Sequence, residues 1–189
     1  LNMLVPDQTS CGMMSASTRK RASLSRSSVS ASTKPKLKIT SGKAVPITQI
    51  SFADEVRFHT GMEELDRVLG GGAVQGSLVL FGGEPGIGKS TLLMQICVHL
   101  SRRNKVLYVS GEESLQQLKL RSNRLMVSSD DLLLLAETEL DTILETAESL
   151  KPDILVIDSI QTTYRAESNT APGGVGQVKE CTMALMKLA

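Results

Sequence analysis

One glycine-rich segment between two apolar runs constrains this chain more than any other feature. Phe81–Leu93 reads FGGEPGIGKSTLL, and residues 83–90 within it satisfy the phosphate-binding loop pattern G-x-x-x-x-G-K-[ST]. The preceding Gly76–Phe81 (GSLVLF) predicts a buried strand, and the run from Ser90 (STLLMQICVHL) predicts a helix. Backbone N–H groups of such a loop wrap an anion at the positive end of the helix dipole. The alternative is a glycine-rich turn with a surface lysine, and the flanking strand and helix weigh against it.

The residues of this loop have separate predicted roles. Lys89 is placed to reach the terminal phosphates of a nucleotide, and the Ser90 hydroxyl is placed to coordinate Mg²⁺. ATP with Mg²⁺ is therefore the expected ligand. The residues predicted to bind the nucleotide are Gly83, Glu84, Pro85, Gly86, Ile87, Gly88, Lys89, Ser90 and Thr91.

Composition limits what the rest of the molecule can be. The chain has 189 residues, 41% of them hydrophobic, and a net charge of +1, which suits one globular domain with a tail. Only 3% of the residues are aromatic and none is Trp, so we expect an aliphatic core and few platforms for stacking bases. No apolar run is long enough for a transmembrane helix, so no membrane partner is expected.

The cysteines indicate neither a metal site nor a disulfide framework. Cys11, Cys97 and Cys181 are far apart and no C-x-x-C occurs. Cys97 and Cys181 lie in helical patterns and are interpreted as buried small hydrophobic residues. The reducing cytoplasm is the natural compartment for such a chain.

Residues 1–43 differ in composition from the rest of the chain. Ser, Thr, Lys and Arg dominate, and Asp7 is the only acid among the first fifty residues. Such a segment buries too little apolar surface to offset its ordering entropy, so we expect a disordered basic linker. Two alternatives remain open: an arm that touches nucleic acid through its charge, and an organelle transit peptide. Residues 44–189 then form the globular part.

The globular part begins with weaker signals. Pro46–Ile50 predicts a short edge strand. In the following HTGMEELDRVLGGG, Thr60 predicts a helix N-cap and Glu63 completes a capping box. Gly70–Gly72 end that helix.

Downstream of the phosphate loop, apolar strands alternate with helices. Strands are predicted at Lys105–Ser110, Asp131–Ala136 and Asp153–Asp158, and helices through Leu115–Leu125, Leu140–Leu150 and Val175–Leu188. This alternation predicts an α/β fold of the phosphate-loop NTPase type, with a parallel sheet covered on both faces. Ligands of such sheets bind at the carboxyl ends of the strands.

Acidic residues stand at two of those strand ends. Asp158 is the expected Mg²⁺ acid, acting through water; the alternative is a solvated strand-end aspartate. Glu112 and Glu113 follow the strand at Lys105–Ser110 and are the candidates for orienting the attacking water. Two adjacent carboxylates cannot both point into one site. We favour Glu112 as the base, beside Lys89 as the second catalytic residue, and expect the other glutamate to face solvent or cap the next helix.

Polar residues follow Asp158 in the next loop. Gln161, Thr162 and Tyr164 are placed to sense the γ-phosphate, and Arg165 in the loop that follows is a candidate contact to a polymer such as DNA. Ordinary loop residues are an equally good interpretation of the same pattern.

Three long stretches of the chain resemble the bacterial RadA (Sms) family of DNA repair proteins. They are TGMEELDRVLGGG with GSLVLFGGEPGIGKSTLL, then VLYVSGEESLQQLKLRSNRL, then LKPDILVIDSIQTTY with APGGVGQVKECTMALMKLA. The resemblance runs from about Val45 to Ala189 and is far more specific than a phosphate loop alone.

This resemblance implies a RecA-like, DNA-dependent ATPase that binds single-stranded or branched DNA. It further implies branch migration during recombinational repair, a homo-hexameric ring and a bacterial cytoplasmic location, with an organelle location as the alternative. It gives the same site: the loop at residues 83–90, Glu112 after the second strand, and Asp158 as the Mg²⁺ acid. The loop after Asp158 is implied to face the DNA channel.

The chain also departs from the family pattern. The four-cysteine zinc motif, the K-N-R-F-G motif and the Lon-protease-like domain of the family are absent, so zinc is expected only in the full-length family. In the RecA-like fold, the strand after the last helix here lies between the phosphate-loop strand and the Asp158 strand. The sheet is therefore expected to be incomplete, and we interpret the chain as a fragment or the product of a truncated gene, with weak hydrolysis of its own.

Two other functions remain open. One is a non-catalytic nucleotide-binding module, and the other is a different RecA-like ATPase of the helicase or clock type. The GEES and DSIQT wording disfavours the latter.

Overall fold

The computed structural model describes residues 2–4, 44, 46–49, 55–125, 129–167 and 173–189. Residues 2–4 and the residues from Glu55 onward belong to one compact unit, and residues 44 and 46–49 belong to a second. Most of the predicted linker, residues 1–43, lies outside the described residues. Three of its residues, Asn2–Leu4, form a strand, contrary to the expectation of disorder there.

In the second unit, the predicted edge strand at Pro46–Ile50 is wrong. Ile47–Gln49 forms a single 3₁₀ turn, closed by a 2.9 Å hydrogen bond from the Gln49 N–H to the Pro46 carbonyl. The turn residues are exposed. Proline fixes φ near −65° and suits the start of such a turn, whereas a strand needs a partner edge.

The first unit is a layered α/β structure. Its strands are β1 (Asn2–Leu4), β2 (Arg57–Phe58), β3 (Ala73–Val74), β4 (Leu78–Leu80), β5 (Val106–Ser110), β6 (Leu132–Ala136) and β7 (Ile154–Asp158). Its helices are α1 (Glu63–Val68), α2 (Lys89–Leu100), α3 (Leu115–Arg124), α4 (Leu140–Leu150) and α5 (Val175–Leu188). The predicted α/β fold class is confirmed.

A five-stranded sheet with the order β4-β1-β7-β5-β6 forms the centre of this unit. β5 pairs in parallel with both β6 and β7, and Ser110 lies beside Ala136 on one side and Asp158 on the other. The carboxyl ends of these three strands are therefore level at one edge of the sheet. β2 and β3 form a separate antiparallel pair.

The place between the phosphate-loop strand and the Asp158 strand is filled by β1. It runs antiparallel to both neighbours, with Met3 beside Val79 of β4 and Val156 of β7. β4 and β7 are therefore parallel to each other but not directly paired. The gap that the sequence predicted is present, but the amino-terminal Asn2–Leu4 lies in it, so the sheet is mixed rather than wholly parallel.

The two faces of the sheet bury separate apolar clusters. Successive β5 residues alternate between them, because side chains along a strand point to opposite faces. Val106 and Tyr108 pack in the cluster with α2 and Leu118 of α3, whereas Leu107 and Val109 pack in the cluster with α4 and α5. Covering both faces explains why β5 and β7 are largely apolar up to their last residues, Ser110 and Asp158.

Both described cysteines are buried and free, as interpreted from the sequence. Cys97 lies on α2 and Cys181 on α5. Burial raises the pKa of both thiols, which keeps them protonated and weakly nucleophilic. None of the helices in the described part of the chain is long and apolar enough to cross a membrane.

The first helix is shorter than predicted, and its capping box is wrong. Its N-cap is Met62, which makes no side-chain cap hydrogen bond. Thr60 bonds to Asp66 instead of capping the helix. The Asp66 Oδ1 accepts hydrogen bonds from the Thr60 N–H at 2.8 Å and from the Thr60 hydroxyl at 2.7 Å. The capping box that does form lies at α3, where Ser114 and Gln117 bond each other reciprocally.

Candidate nucleotide-binding site

The phosphate loop, residues 83–90, follows β4 and includes the first two residues of α2. The α2 N-cap is Gly88, whose φ of +97° lies in the left-handed region that a side chain strongly disfavours. Residues 82–88 are exposed, so the loop presents its backbone to solvent. No side chain caps α2. The first N–H groups of the helix, which have no partner within the helix, are therefore available to an anion.

Lys89 is folded back onto the loop. Its Nζ donates hydrogen bonds to the carbonyls of Gly83 and Glu84, both at 2.8 Å. The ammonium group thus lies against the loop that is predicted to hold phosphate. Its role toward the terminal phosphates stays a prediction.

Asp158 lies at the carboxyl end of β7 and is almost fully buried, with 6% of its surface exposed. The Tyr108 hydroxyl donates a 2.5 Å hydrogen bond to its Oδ2. The salt bridges found among the described residues include none to this carboxylate. A buried carboxylate with a neutral donor and no cationic partner is suited to attract a cation.

The two adjacent glutamates have different surroundings. Glu113 forms an ion pair with Arg121 of α3 and is three-quarters buried on its side chain. Glu112 is exposed, and its Oε1 accepts a 3.0 Å hydrogen bond from the Ser159 hydroxyl, next to Asp158. The structure therefore brings Glu112, and not Glu113, to the Asp158 strand end.

Hydrogen bonds connect the turn that carries Glu112 to the carboxyl ends of β5 and β7. The Ser110 hydroxyl oxygen accepts hydrogen bonds from the N–H groups of Glu112 at 3.4 Å and Glu113 at 3.0 Å. The Gly111 N–H donates to the Asp158 carbonyl at 2.9 Å. These bonds tie the β5 turn to the end of β7.

The close contact at Gly111 supports a stability prediction. A Cβ placed there would lie 2.2 Å from the Thr162 hydroxyl oxygen, which no real contact tolerates. Gly111→Ala is therefore expected to lower the free energy of unfolding by about 1–3 kcal/mol, measured by denaturant titration. Gly82→Ala is the control, because a Cβ there meets nothing within 4 Å. Equal stability of the two variants would contradict the close approach.

The polar residues of the loop after Asp158 lie in different settings. Gln161 is exposed. Tyr164 is tied by its backbone to the turn before α4, since its N–H donates to Thr138 and its carbonyl accepts from Leu140, both at 2.8 Å. The structure does not bring these residues to the phosphate loop by any hydrogen bond described, and their sensor and DNA roles stay predictions.

Arg165 faces helices α4 and α5. It forms a bidentate ion pair with Asp141, with bonds of 2.6–3.0 Å, and lies 4.0 Å from Glu180. The hydrogen bonds from Arg165 hold the pKa of Asp141 below its ordinary value and raise that of Arg165. The guanidinium is thus engaged within the protein.

Mg²⁺ suits the donor types of the predicted metal site, a serine hydroxyl and a carboxylate. In the described part of the chain, no three His, Cys, Asp or Glu side chains cluster to hold a metal. Mg²⁺ commonly uses one or two protein oxygens together with water and substrate phosphates, which matches the Ser90 hydroxyl and the Asp158 carboxylate. A cation held only by protein side chains does not match them.

Two clefts on the described surface lie away from the phosphate loop. One, of about 550 Å³, is lined by α4, α5 and Arg165, and the other, of about 380 Å³, by residues of β2 and the end of α2.

Sequence reasoning overlooked Tyr108, whose hydroxyl contacts Asp158. The available signal was a tyrosine in the middle of an apolar strand, KVLYVS. The sequence predicts a sensor role for Thr162, and the structure places its side chain against Gly111. No local pattern indicates that contact, because it joins two loops that are distant in the chain.

Comparison with known proteins identifies the family of this chain. A family model described as an AAA domain matches residues 45–185, and the chain therefore belongs to the AAA-domain family. The chain is 57% identical over 148 residues to the DNA repair protein RadA of Listeria monocytogenes, and 51% identical over 148 residues to that of Bacillus subtilis. It is 48% identical over 150 residues to RadA of Haemophilus influenzae. The predicted resemblance to the RadA family is confirmed.

The coverage of these matches is uneven. They include 78–79% of this chain but only 32–33% of each relative. The chain thus spans about a third of the length of the relatives it matches.

Proposed function

We propose that this chain is the nucleotide-binding part of an ATP-driven DNA repair protein. The observation that carries the proposal is the 3.0 Å hydrogen bond from the Ser159 hydroxyl to Glu112 Oε1. This bond lies next to Asp158 at the carboxyl ends of the strands, where ligands of such sheets bind. The AAA-domain match and the RadA relatives support the same conclusion.

Each part of the site has a role in this proposal. The free N–H groups at the start of α2 bind the phosphates, and the Lys89 ammonium leaves the Gly83 and Glu84 carbonyls to pair with the terminal phosphate. Bound Mg²⁺ supplies charge neutralisation of the phosphates, with Ser90 and Asp158 as the protein groups that hold it. The Lys89 ammonium and a bound Mg²⁺ are both positively charged. Together they favour binding of a negatively charged nucleoside triphosphate over uncharged ligands.

Hydrolysis requires a base near the γ-phosphate, and Glu112 is the group proposed for it. Its carboxylate is exposed and can accept a proton from water, while Ser159 fixes one of its oxygens. Glu113 is unsuited to this task because its carboxylate pairs with Arg121.

The finer DNA functions also belong to the proposal. We infer single-stranded or branched DNA as the partner, branch migration as the outcome, a hexamer of the longer protein and a cytoplasmic location. The bacterial relatives support the DNA repair context of this inference, since they are named as DNA repair proteins. The loop after Asp158 is the proposed DNA-facing segment. Within it, Gln161 is exposed, whereas Arg165 must leave Asp141 before it can contact phosphate.

A non-catalytic nucleotide-binding module is the second candidate. The strand β1, which pairs with both β4 and β7, is only three residues long. Few backbone pairs therefore connect the strand before the phosphate loop to the strand that ends in Asp158. A module of this kind binds nucleotide without turning it over.

Glu112→Gln separates these two functions. In an ATPase, the variant keeps ATP affinity within about twofold but loses about 100-fold or more of its turnover, because the amide cannot accept the proton. Turnover is measured by phosphate release with and without single-stranded DNA, which should stimulate only the unmodified protein. Glu63→Gln, an exposed change on α1, is the control. Unmodified protein that binds ATP without turnover would support the module instead.

A further inference from the structure

Tyr108 is the one feature of the site that the proposed roles leave unexplained. It lies in the middle of β5 and is fully buried, yet it carries a polar hydroxyl. Tyr108 lies beside Val156, and Asp158 is two residues further along β7 on the same face. Such diagonal neighbours are within reach of an aromatic side chain. The tyrosine therefore extends along the sheet to the strand edge, where its hydroxyl meets Asp158 Oδ2 at 2.5 Å.

This contact holds the carboxylate without neutralising it. A lysine or arginine in the same place would cancel the charge that a metal ion needs, whereas a phenol donates one hydrogen bond and stays neutral. A tyrosine phenol carries its proton at neutral pH, so it serves as the donor in this bond. In the described part of the chain, no donor bonds Asp158 Oδ1.

We propose that Tyr108 is a positioning residue for the metal ion that accompanies the nucleotide. Its hydroxyl fixes Asp158 through Oδ2 and leaves Oδ1 for the water ligands of the cation. The inference rests on the proposed function, because it takes Asp158 as the Mg²⁺ acid. Loss of a hydrogen-bond partner of a metal-holding side chain commonly changes metal affinity by 10–100-fold.

Tyr108→Phe tests the proposal, since it removes only the hydroxyl. The measurement is binding of a fluorescent ATP analogue at increasing Mg²⁺ concentration, together with binding in EDTA. We expect unchanged affinity in EDTA and a Mg²⁺ midpoint raised by about tenfold or more. An unchanged Mg²⁺ midpoint, or equal weakening with and without Mg²⁺, would overturn the proposal. Absence of analogue binding by the unmodified protein would instead contradict the proposed function itself.

Three further variants exclude a merely structural role. Val109→Ala lies on the opposite face of β5 and removes core packing, so it should lower the melting temperature without moving the Mg²⁺ midpoint. Asp158→Asn and Tyr108→Phe/Asp158→Asn should share one midpoint, because the tyrosine acts only through the carboxylate charge. The double variant also lacks a buried unpaired charge, so it stays informative if Tyr108→Phe alone fails to fold. A further shift in the double variant would refute positioning through Asp158.

Discussion

Lys89→Ala is expected to weaken ATP binding by about 30-fold or more, equivalent to about 2 kcal/mol or more. The variant removes the one side-chain ammonium of the phosphate loop, which would otherwise pair with the terminal phosphate. Isothermal titration calorimetry of the 189-residue chain with Mg-ATP measures the effect. Binding is the appropriate quantity, because it does not depend on how fast this chain turns ATP over.

Folding should be almost unaffected by the same change. The bonds from Lys89 to Gly83 and Glu84 lie in an exposed loop, so their loss adds little to the free energy of unfolding. Lys119→Ala, an exposed lysine on α3, makes the same change in net charge and should bind ATP normally. If both variants bind like the unmodified chain, the phosphate-loop assignment is wrong.

Met3→Pro is expected to lower the free energy of unfolding by about 3 kcal/mol or more. Proline has no N–H, so the variant removes a ladder hydrogen bond from a strand that is paired on both sides and leaves a carbonyl without its donor. At about 2–4 °C per kcal/mol for a chain of this size, the melting temperature should fall by about 6–12 °C. Differential scanning calorimetry gives this shift.

Met3→Val is the matched control for the strand. It keeps the backbone N–H and introduces a residue that strands favour, so the ladders to Val79 and Val156 should persist. Equal melting temperatures for the proline and valine variants would show that Asn2–Leu4 does not complete the sheet.

Local patterns predicted most of the repeating elements well. Leu140–Leu150 and Val175–Leu188 are helices with the predicted bounds, and the predicted strand at Asp153–Asp158 differs from β7 by one residue. Their apolar spacing is set by the face each buries, so periodicity alone is informative. The phosphate loop is equally local, because its glycines, lysine and helix start are consecutive in the chain.

Predictions failed where a residue found a hydrogen-bond partner other than the expected one. Thr60 has the chemistry of an N-cap, but it bonds to Asp66, and the helix begins at Glu63 instead. Pro46–Ile50 has strand-like residues, but the Gln49 N–H bonds to the Pro46 carbonyl and closes a turn at Ile47–Gln49. Local propensity cannot decide such cases, because the competing partner contributes a comparable hydrogen bond.

The sequence by itself determined the motifs of this protein: a phosphate loop, acidic residues at strand ends and the segments that it shares with the RadA family. These features are written in consecutive residues whose spacing has a direct physical meaning. Only the tertiary structure decided that Glu112, rather than Glu113, bonds to Ser159, because the Glu113 carboxylate forms an ion pair with Arg121 of α3. It also placed Asn2–Leu4 between β4 and β7, and Tyr108 against Asp158, since strand pairing joins residues far apart in the chain and leaves no local pattern to read.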